Sequence, residues 1–185
     1  MEANYRKNPK MGEGFGLDME NWSPQGHAEL VTKFRHRPDD PVGQMLMAHP
    51  DKMIERSADG MSLVGRPAFR LRPTRSREQA VELAREVIDR YATDISATNE
   101  LADAVSQRKA KLTAIIRVCQ DLDQMHLFTD GNIRTITFLV LNKLLIEQGF
   151  SPAIMDEPNA FDCMSVAELT ALVLAGQQTY QKYAS

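Results

Sequence analysis

The chain has little of what marks a secreted, metal-stapled or membrane-embedded protein. Two cysteines, Cys119 and Cys163, are too few for a disulfide scaffold and lack metal-ligand spacing. A reducing compartment such as the cytoplasm fits best. The first ten residues, MEANYRKNPK, hold no apolar core, so they do not read as a secretory signal peptide. Signals for specialised secretion machines are not legible in this way, and delivery into a host cell by that route stays open. The most apolar stretch, Phe138 to Ile146, is short and carries Lys143, too little for a membrane span. A formal net charge of −3 leaves no overall basic field for nucleic acid or an anionic membrane. Arg66, Arg70, Arg72, Arg75 and Arg77 do lie close together, and such a run reads first as a solvated surface. There is no internal repeat and no low-complexity tract.

What is present suits one globular domain. With 185 residues, 43% hydrophobic and 25% charged, the chain can bury a core. Residues 1–22 are polar and Gly-rich and are expected to form a mobile arm, with residues 23–185 as a single domain. Ser23-Pro24 reads as an N-cap and first helical residue, opening a short helix with Ala28, Val31 and Phe34 on one side. Residues 42–58 suggest short helical turns. MSLVGRPAFRLR, Met61 to Arg72, suggests a small β-hairpin flap around Gly65-Arg66-Pro67. Ser76 with Gln79 forms a capping-box pattern ahead of a helix to about Ile95, with Val81, Ala84, Val87, Ile88 and Tyr91 as its apolar stripe. A helix from near Glu100 to Met125 carries Leu112, Ile115, Ile116, Cys119, Leu122 and Met125 along one side. The segment from Ile133 to Gln148 is apolar almost all round and is expected in the middle of a bundle. Gly149 and Pro152 end it. Ser165 with Glu168 starts a terminal helix to about Tyr183. The expected fold is all-α, a helical bundle with a small β-hairpin flap.

The chemistry concentrates at MHLFTDGNIRT, Met125 to Thr135, between two of these helices. Asp130-Gly131-Asn132 is a tight-turn sequence. The first amides of the helix that follows have no intrahelical partners, and the dipole adds positive potential, so the junction suits an anion such as phosphate. Arg134 sits in the first turn, where it can pair with phosphate oxygens. Asp130 can hold a divalent cation such as Mg²⁺ that bridges phosphates. His126 has a pKa suited to accepting a proton from a hydroxyl near neutral pH. Phe128 is expected to plug into the core and pin the loop. The other histidines, His27, His36 and His49, have no organised partners and receive no role.

These residues resemble the signature of the Fic family, which runs His-Pro-Phe, two residues of which the second is commonly acidic, Gly-Asn-Gly-Arg, two residues, Arg. His126, Phe128, Asp130, Gly131, Asn132 and Arg134 match at the same spacing. By residue frequency, six fixed residues at set spacing arise on the order of once in tens of millions of positions. The likeness runs from about Leu112 to Pro152 and includes Asn142; it fades over Met61 to Pro73, where the family carries a target-docking flap. The resemblance implies a transferase that moves AMP, or a related phosphate-containing group, from ATP or another nucleotide donor to a Ser, Thr or Tyr hydroxyl of a target protein. It implies His126 as the general base and Asp130 as the Mg²⁺ ligand. Gly131, Asn132, Ile133 and Arg134 would hold the phosphates. Val64, Gly65, Arg66, Ala68, Phe69 and Arg70 would form the flap that docks the target. A homo-oligomer is compatible with this reading.

Three positions depart from the signature. Leu127 replaces Pro, a change of loop packing. Ile133 replaces the second Gly, where a β-branched residue disfavours positive φ and crowds an approaching phosphate. Thr137 replaces the second Arg and removes a cation. The alternative reading is therefore a catalytically degenerate Fic-fold domain that acts as a protein-binding module.

Overall fold

Three helices of this chain start on side-chain caps, at Ser23, Ser76 and Asp103. The computed structural model describes residues 15–16, 23–34, 70–71, 76–125, 127–128 and 131–184. They divide into two units, Met1–Thr74 with Asp162–Ser165, and Arg75–Phe161 with Val166–Ser185. The fold is all-α. Its only β pairing among the described residues is a two-residue ladder.

In the first unit, β1 (Phe15–Gly16) pairs antiparallel with β2 (Arg70–Leu71), Phe15 opposite Leu71. The described end of the expected flap thus pairs with a segment from the N-terminal arm, and a hairpin closed on itself is not among the described residues. Val64, Gly65, Arg66, Ala68 and Phe69 lie outside them, as do the turns expected over residues 42–58. Helix α1 (Pro24–Phe34) starts as its sequence dictates: the Ser23 Oγ accepts from the Gly26 N–H at 2.9 Å. Its buried positions are Gly26 and Leu30, one helical turn apart, while Ala28 is exposed and Val31 half-buried. The expected face was offset because alanine at one position cannot outweigh leucine at another.

The second unit holds the bundle. Helix α2 (Arg77–Thr98) opens on the full capping box: Gln79 N–H donates to the Ser76 Oγ at 3.3 Å, and Ser76 N–H donates to the Gln79 Oε1 at 2.8 Å. Val87 is sealed at its inner face, yet Val81 and Ile88, expected in the stripe, are exposed. Helix α3 (Ala104–Gln124) is capped by Asp103, which accepts from the Ser106 N–H at 2.8 Å. From Leu112 onward it is buried on nearly every side, Gln120, Asp123 and Gln124 included. It packs against α2 and against every later helix of the unit introduced below except the short α5.

Tyr91 of α2 brings a hydroxyl into this core. Burial first, then the Glu147 charge and the Cys119 thiol, pushes it up to about 12. Gln148 approaches the hydroxyl without reaching hydrogen-bond geometry. The neutral phenol is favoured in the folded chain, so folding stability is intact below the ordinary tyrosine value. It is lost as pH rises from about 10 towards about 12. We expect Tyr91→Phe to unfold at a less pH-sensitive denaturant midpoint across that interval, with stability at neutral pH unchanged or slightly raised. Urea titrations at a series of alkaline pH values check this.

After the loop of interest, Arg134–Val140 is wound as a π-helix and runs directly into α4 (Leu141–Glu147). The Leu141 N–H reaches the Ile136 carbonyl, one residue further back than an α-helix would use. This segment was expected at the centre of the bundle and is not there. Ile136, Thr137, Leu141 and Leu145 are buried, but Phe138 is 40%, Leu139 67% and Ile146 59% exposed. The centre is α3. Apolar composition all round shows that a helix can be buried, and its neighbours decide which face is. Gly149 ends α4 with φ +74°, a value suited to glycine, and the Phe150 N–H returns to the Leu145 carbonyl at 2.8 Å.

The chain then crosses the bundle as an extended segment. Asn142 holds it on one side: its Oδ1 accepts from the Ala153 N–H at 2.7 Å and its Nδ2 donates to the Ala153 carbonyl at 3.1 Å. A single turn, α5 (Ala160–Cys163), precedes the terminal helix α6 (Val166–Ala184), which begins directly after Ser165. On α6, Gln177 Nε2 donates to the Ser151 carbonyl at 2.8 Å, and the Ile154 N–H donates to the Gly176 carbonyl at 3.0 Å. Gly176 makes that approach possible. A Cβ there would lie 2.7 Å from the Ile154 carbonyl oxygen and 3.2 Å from the Ala153 Cβ. The better helix propensity of alanine contributes about 1 kcal/mol. Forced overpacking costs typically about 1–3 kcal/mol, and here the obstacle is backbone held by Asn142. Gly176→Ala is therefore expected to lower unfolding free energy by up to about 2 kcal/mol in denaturant titration.

No helix among the described residues is long and apolar enough to cross a membrane.

Candidate functional site

Among the described residues, the loop between α3 and the π-helical segment is held by a main-chain bond and by one asparagine. Met125 caps α3 in right-handed helical conformation, φ −74° and ψ −19°. Six residues on, Gly131 takes φ +81°, a region that L side chains rarely adopt. There is room beside it, since the nearest atoms to a Cβ there would be the Arg134 Nη2 at 3.6 Å and Nε at 3.8 Å. Glycine is thus needed for its backbone angle and not for space. The same distances place the Arg134 guanidinium folded back over the loop.

Asn132 fastens the turn. Its Oδ1 accepts from the Phe128 N–H at 2.8 Å, and its Nδ2 donates to the Phe128 carbonyl at 2.7 Å. The side chain mimics a strand partner for one residue, so it is committed to the loop and is not available as a ligand. What it leaves for an anion is its main-chain amide. The Thr135 N–H closes the first turn on the Gly131 carbonyl at 2.9 Å. The amides before it lie at the helix start, where no intrahelical acceptor exists.

Phe128 does not plug into the core: its ring is 46% exposed. The pair of hydrogen bonds to Asn132 fixes the main chain at this point, so the ring is not required as an anchor. Ile133 raises no backbone problem either. It sits at φ −55° and ψ −46°, ordinary helical values that a β-branched residue adopts freely. Only the bulk of its side chain bears on an approaching ligand. Thr137 is completely buried, with its Oγ1 outside any hydrogen bond. This position faces the core and presents no polar group to solvent.

His126 and Asp130 lie outside the described residues. Of the expected site residues, the structure brings together Phe128, Gly131, Asn132 and Arg134, with Ile133 between the last two. Of the flap residues it describes only Arg70, within β2.

Sequence reasoning passed over the polar residues at the end of α3. Gln120, Asp123 and Gln124 are 7%, 0% and 5% exposed, immediately before the loop. Asp123 has both carboxylate oxygens sealed from solvent, and its charge helps to push the neighbouring Cys119 thiol up, second to burial. The signal was in the string QDLDQ: these polar residues interrupt the apolar positions Leu112, Ala114, Ile115, Ile116, Val118, Cys119 and Leu122 of the same helix. Among the described residues no cluster of three or more His, Cys, Asp and Glu could cage a metal.

No family model and no solved structure matches the chain. Among curated proteins it is similar to the phosphocholine transferase AnkX of Legionella pneumophila, 41% identical over 63 residues. That match takes in 34% of this chain and 7% of the length of AnkX, so the likeness is to a small part of a much longer transferase.

Proposed function

We propose that the chain is a Fic-type transferase that moves a phosphate-containing group from a nucleotide donor to a hydroxyl of a target protein. The observation that carries the reading is the loop itself. Gly131, Asn132 and Ile133 present the start of a helix, and the Arg134 guanidinium lies back over Gly131. A pocket of this kind suits the outer phosphates of a phosphoanhydride. Because the similar segment belongs to a phosphocholine transferase, phosphocholine heads the list of groups, and AMP from ATP is the alternative.

In the reaction, the target hydroxyl oxygen forms a bond to phosphorus. The phosphoanhydride bond on the far side breaks and its electron pair leaves with the rest of the donor, CMP from CDP-choline or pyrophosphate from ATP. His126 takes the hydroxyl proton as general base. Arg134 and the amides of the loop hold the charge that develops on the phosphate oxygens, so catalysis is mainly positioning and charge stabilisation. Asp130 would hold Mg²⁺ together with the donor phosphates, and the ion would neutralise their charge. A reducing cytoplasm, that of a host cell included, supplies donors and targets of this class.

The test is a donor panel. Purified protein, Mg²⁺ and cell lysate are incubated with CDP-choline or with ATP, and modified proteins are read by mass spectrometry for phosphocholine or AMP on Ser, Thr or Tyr. Modification that depends on His126 supports the reading and names the group. No modification from either donor beyond the His126→Ala control would overturn it. A second reading has one observation in its favour: position 137 holds a buried threonine where the Fic signature has an arginine, which leaves the loop one cation fewer. A binding module would then capture a target without modifying it and would show no Mg²⁺-dependent affinity for nucleotide.

A further inference from the structure

We infer that Arg134–Val140 is a two-state element: its π winding exchanges with an α winding, and the exchange moves Arg134 to and from the loop. That donor phosphates favour one of the two windings rests on the proposed function; the exchange itself does not. Packing gives the second state its geometry. Leu141 and Leu145 are completely buried and fix the inner face of α4. In an α-helix the residues one turn before Leu141 on that face are Thr137 and Phe138. The π turn is one residue longer, so the residues buried there are Ile136 and Thr137, and Phe138 is turned outward, 40% exposed. Rewinding to α exchanges Ile136 for Phe138 against α3, on which the segment packs. Both side chains are large and apolar, so either can close the core.

Thr137 gives the second state a reason to form. The six threonines within α-helices among the described residues all return their hydroxyl to the carbonyl three or four residues back, at 2.7–3.2 Å. Thr137 does not: its Oγ1 is buried in the π segment without a hydrogen bond. A buried hydroxyl left so is costly. The α winding restores the bond, to the Ile133 carbonyl four residues back, and takes Phe138 out of water. What it gives up is the place of Arg134. When a turn loses one residue, the residues before it rotate by about 100° relative to α4. The guanidinium, 3.6 Å from where a Gly131 Cβ would lie, then leaves the loop. Phosphate oxygens bound at the loop hold Arg134 there and so favour the π winding.

NMR on the full chain tests this without turnover. Relaxation dispersion at the amides of residues 134–141 reads exchange between the windings on the microsecond-to-millisecond scale. The wild-type protein is expected to show it. Thr137→Val keeps the shape and removes the bond that only the α winding makes. The exchange contribution is therefore expected to fall about fivefold, the population effect of one hydrogen bond. Ile136→Ser is expected to act the other way, by penalising the π winding. Scalar coupling across the hydrogen bond then joins the Leu141 N–H to the Thr137 carbonyl in place of the Ile136 carbonyl. Wild-type amides without dispersion overturn the inference, whether or not Ile136→Ser folds. So does dispersion that Thr137→Val leaves unchanged. Inorganic pyrophosphate probes the loop: where calorimetry shows that it binds, it is expected to suppress the dispersion, and binding that leaves the dispersion intact overturns the link to Arg134. Pyrophosphate that does not bind counts against the proposed function alone, because the dispersion is measured in the protein without ligand.

Discussion

His126→Ala is expected to lower the rate of transfer by about 10²- to 10⁴-fold, the usual worth of a positioned general base, while leaving donor affinity within about a factor of two. The separation follows from the division of labour in the loop. Donor phosphates are proposed to rest on the amides that follow Gly131 and under the Arg134 guanidinium, and none of these depends on the imidazole. The base acts on the target hydroxyl only as the new bond forms. Initial rates measured by mass spectrometry, set beside donor binding by calorimetry, check the prediction. A variant that loses rate and affinity together would place His126 among the binding groups and not at the proton.

Asn132→Ala is expected to have the next largest effect, and it acts on structure first. The substitution removes two hydrogen bonds at once, from the Phe128 N–H and to the Phe128 carbonyl. Each is worth about 1 kcal/mol net, and more where a part-buried group is left without a partner, so the loss is about 2–3 kcal/mol. Denaturant titration reads that figure. The local consequence is larger. With the clamp gone, the main chain at Phe128 loses its tie to the helix start, and Gly131 is held at φ +81° less firmly. Donor binding is expected to weaken at least as much as it does in Arg134→Ala. Asn132→Asp separates the two bonds: the carboxylate still accepts from the Phe128 N–H but repels the carbonyl, so its stability should fall between those of wild type and alanine.

The parts of this fold that were legible in the sequence are those governed by local chemistry. Ser23 caps α1, Ser76 and Gln79 box α2, and Gly149 turns the chain after α4, because each depends on residues no more than a few positions apart. The tight turn at Gly131 and the helix start that follows it were legible for the same reason. What was misread depends on neighbours. Phe138 to Ile146 has the most apolar sequence of the chain yet leaves Leu139 and Ile146 in solvent, while α3, interrupted by Gln120, Asp123 and Gln124, lies at the centre. Hydrophobicity states what a residue would gain by burial, and packing decides whether it is buried. Asn132 shows the same division within the site. Its place in the motif was plain, but its side chain ties the loop to itself, a role that only the two bonds to Phe128 reveal.

The π winding of Arg134–Val140 has a consequence for how this site can vary. A π turn takes up one residue more than an α turn without displacing the helices on either side. Here that extra residue lies between Arg134, which serves the loop, and Leu141 with Leu145, which serve the core. In a plain α-helix, adding or losing one residue would swing one of these groups by about 100° relative to the other. The wider turn works as a slip joint. It lets the loop-facing register and the packing register of a single helix be set separately.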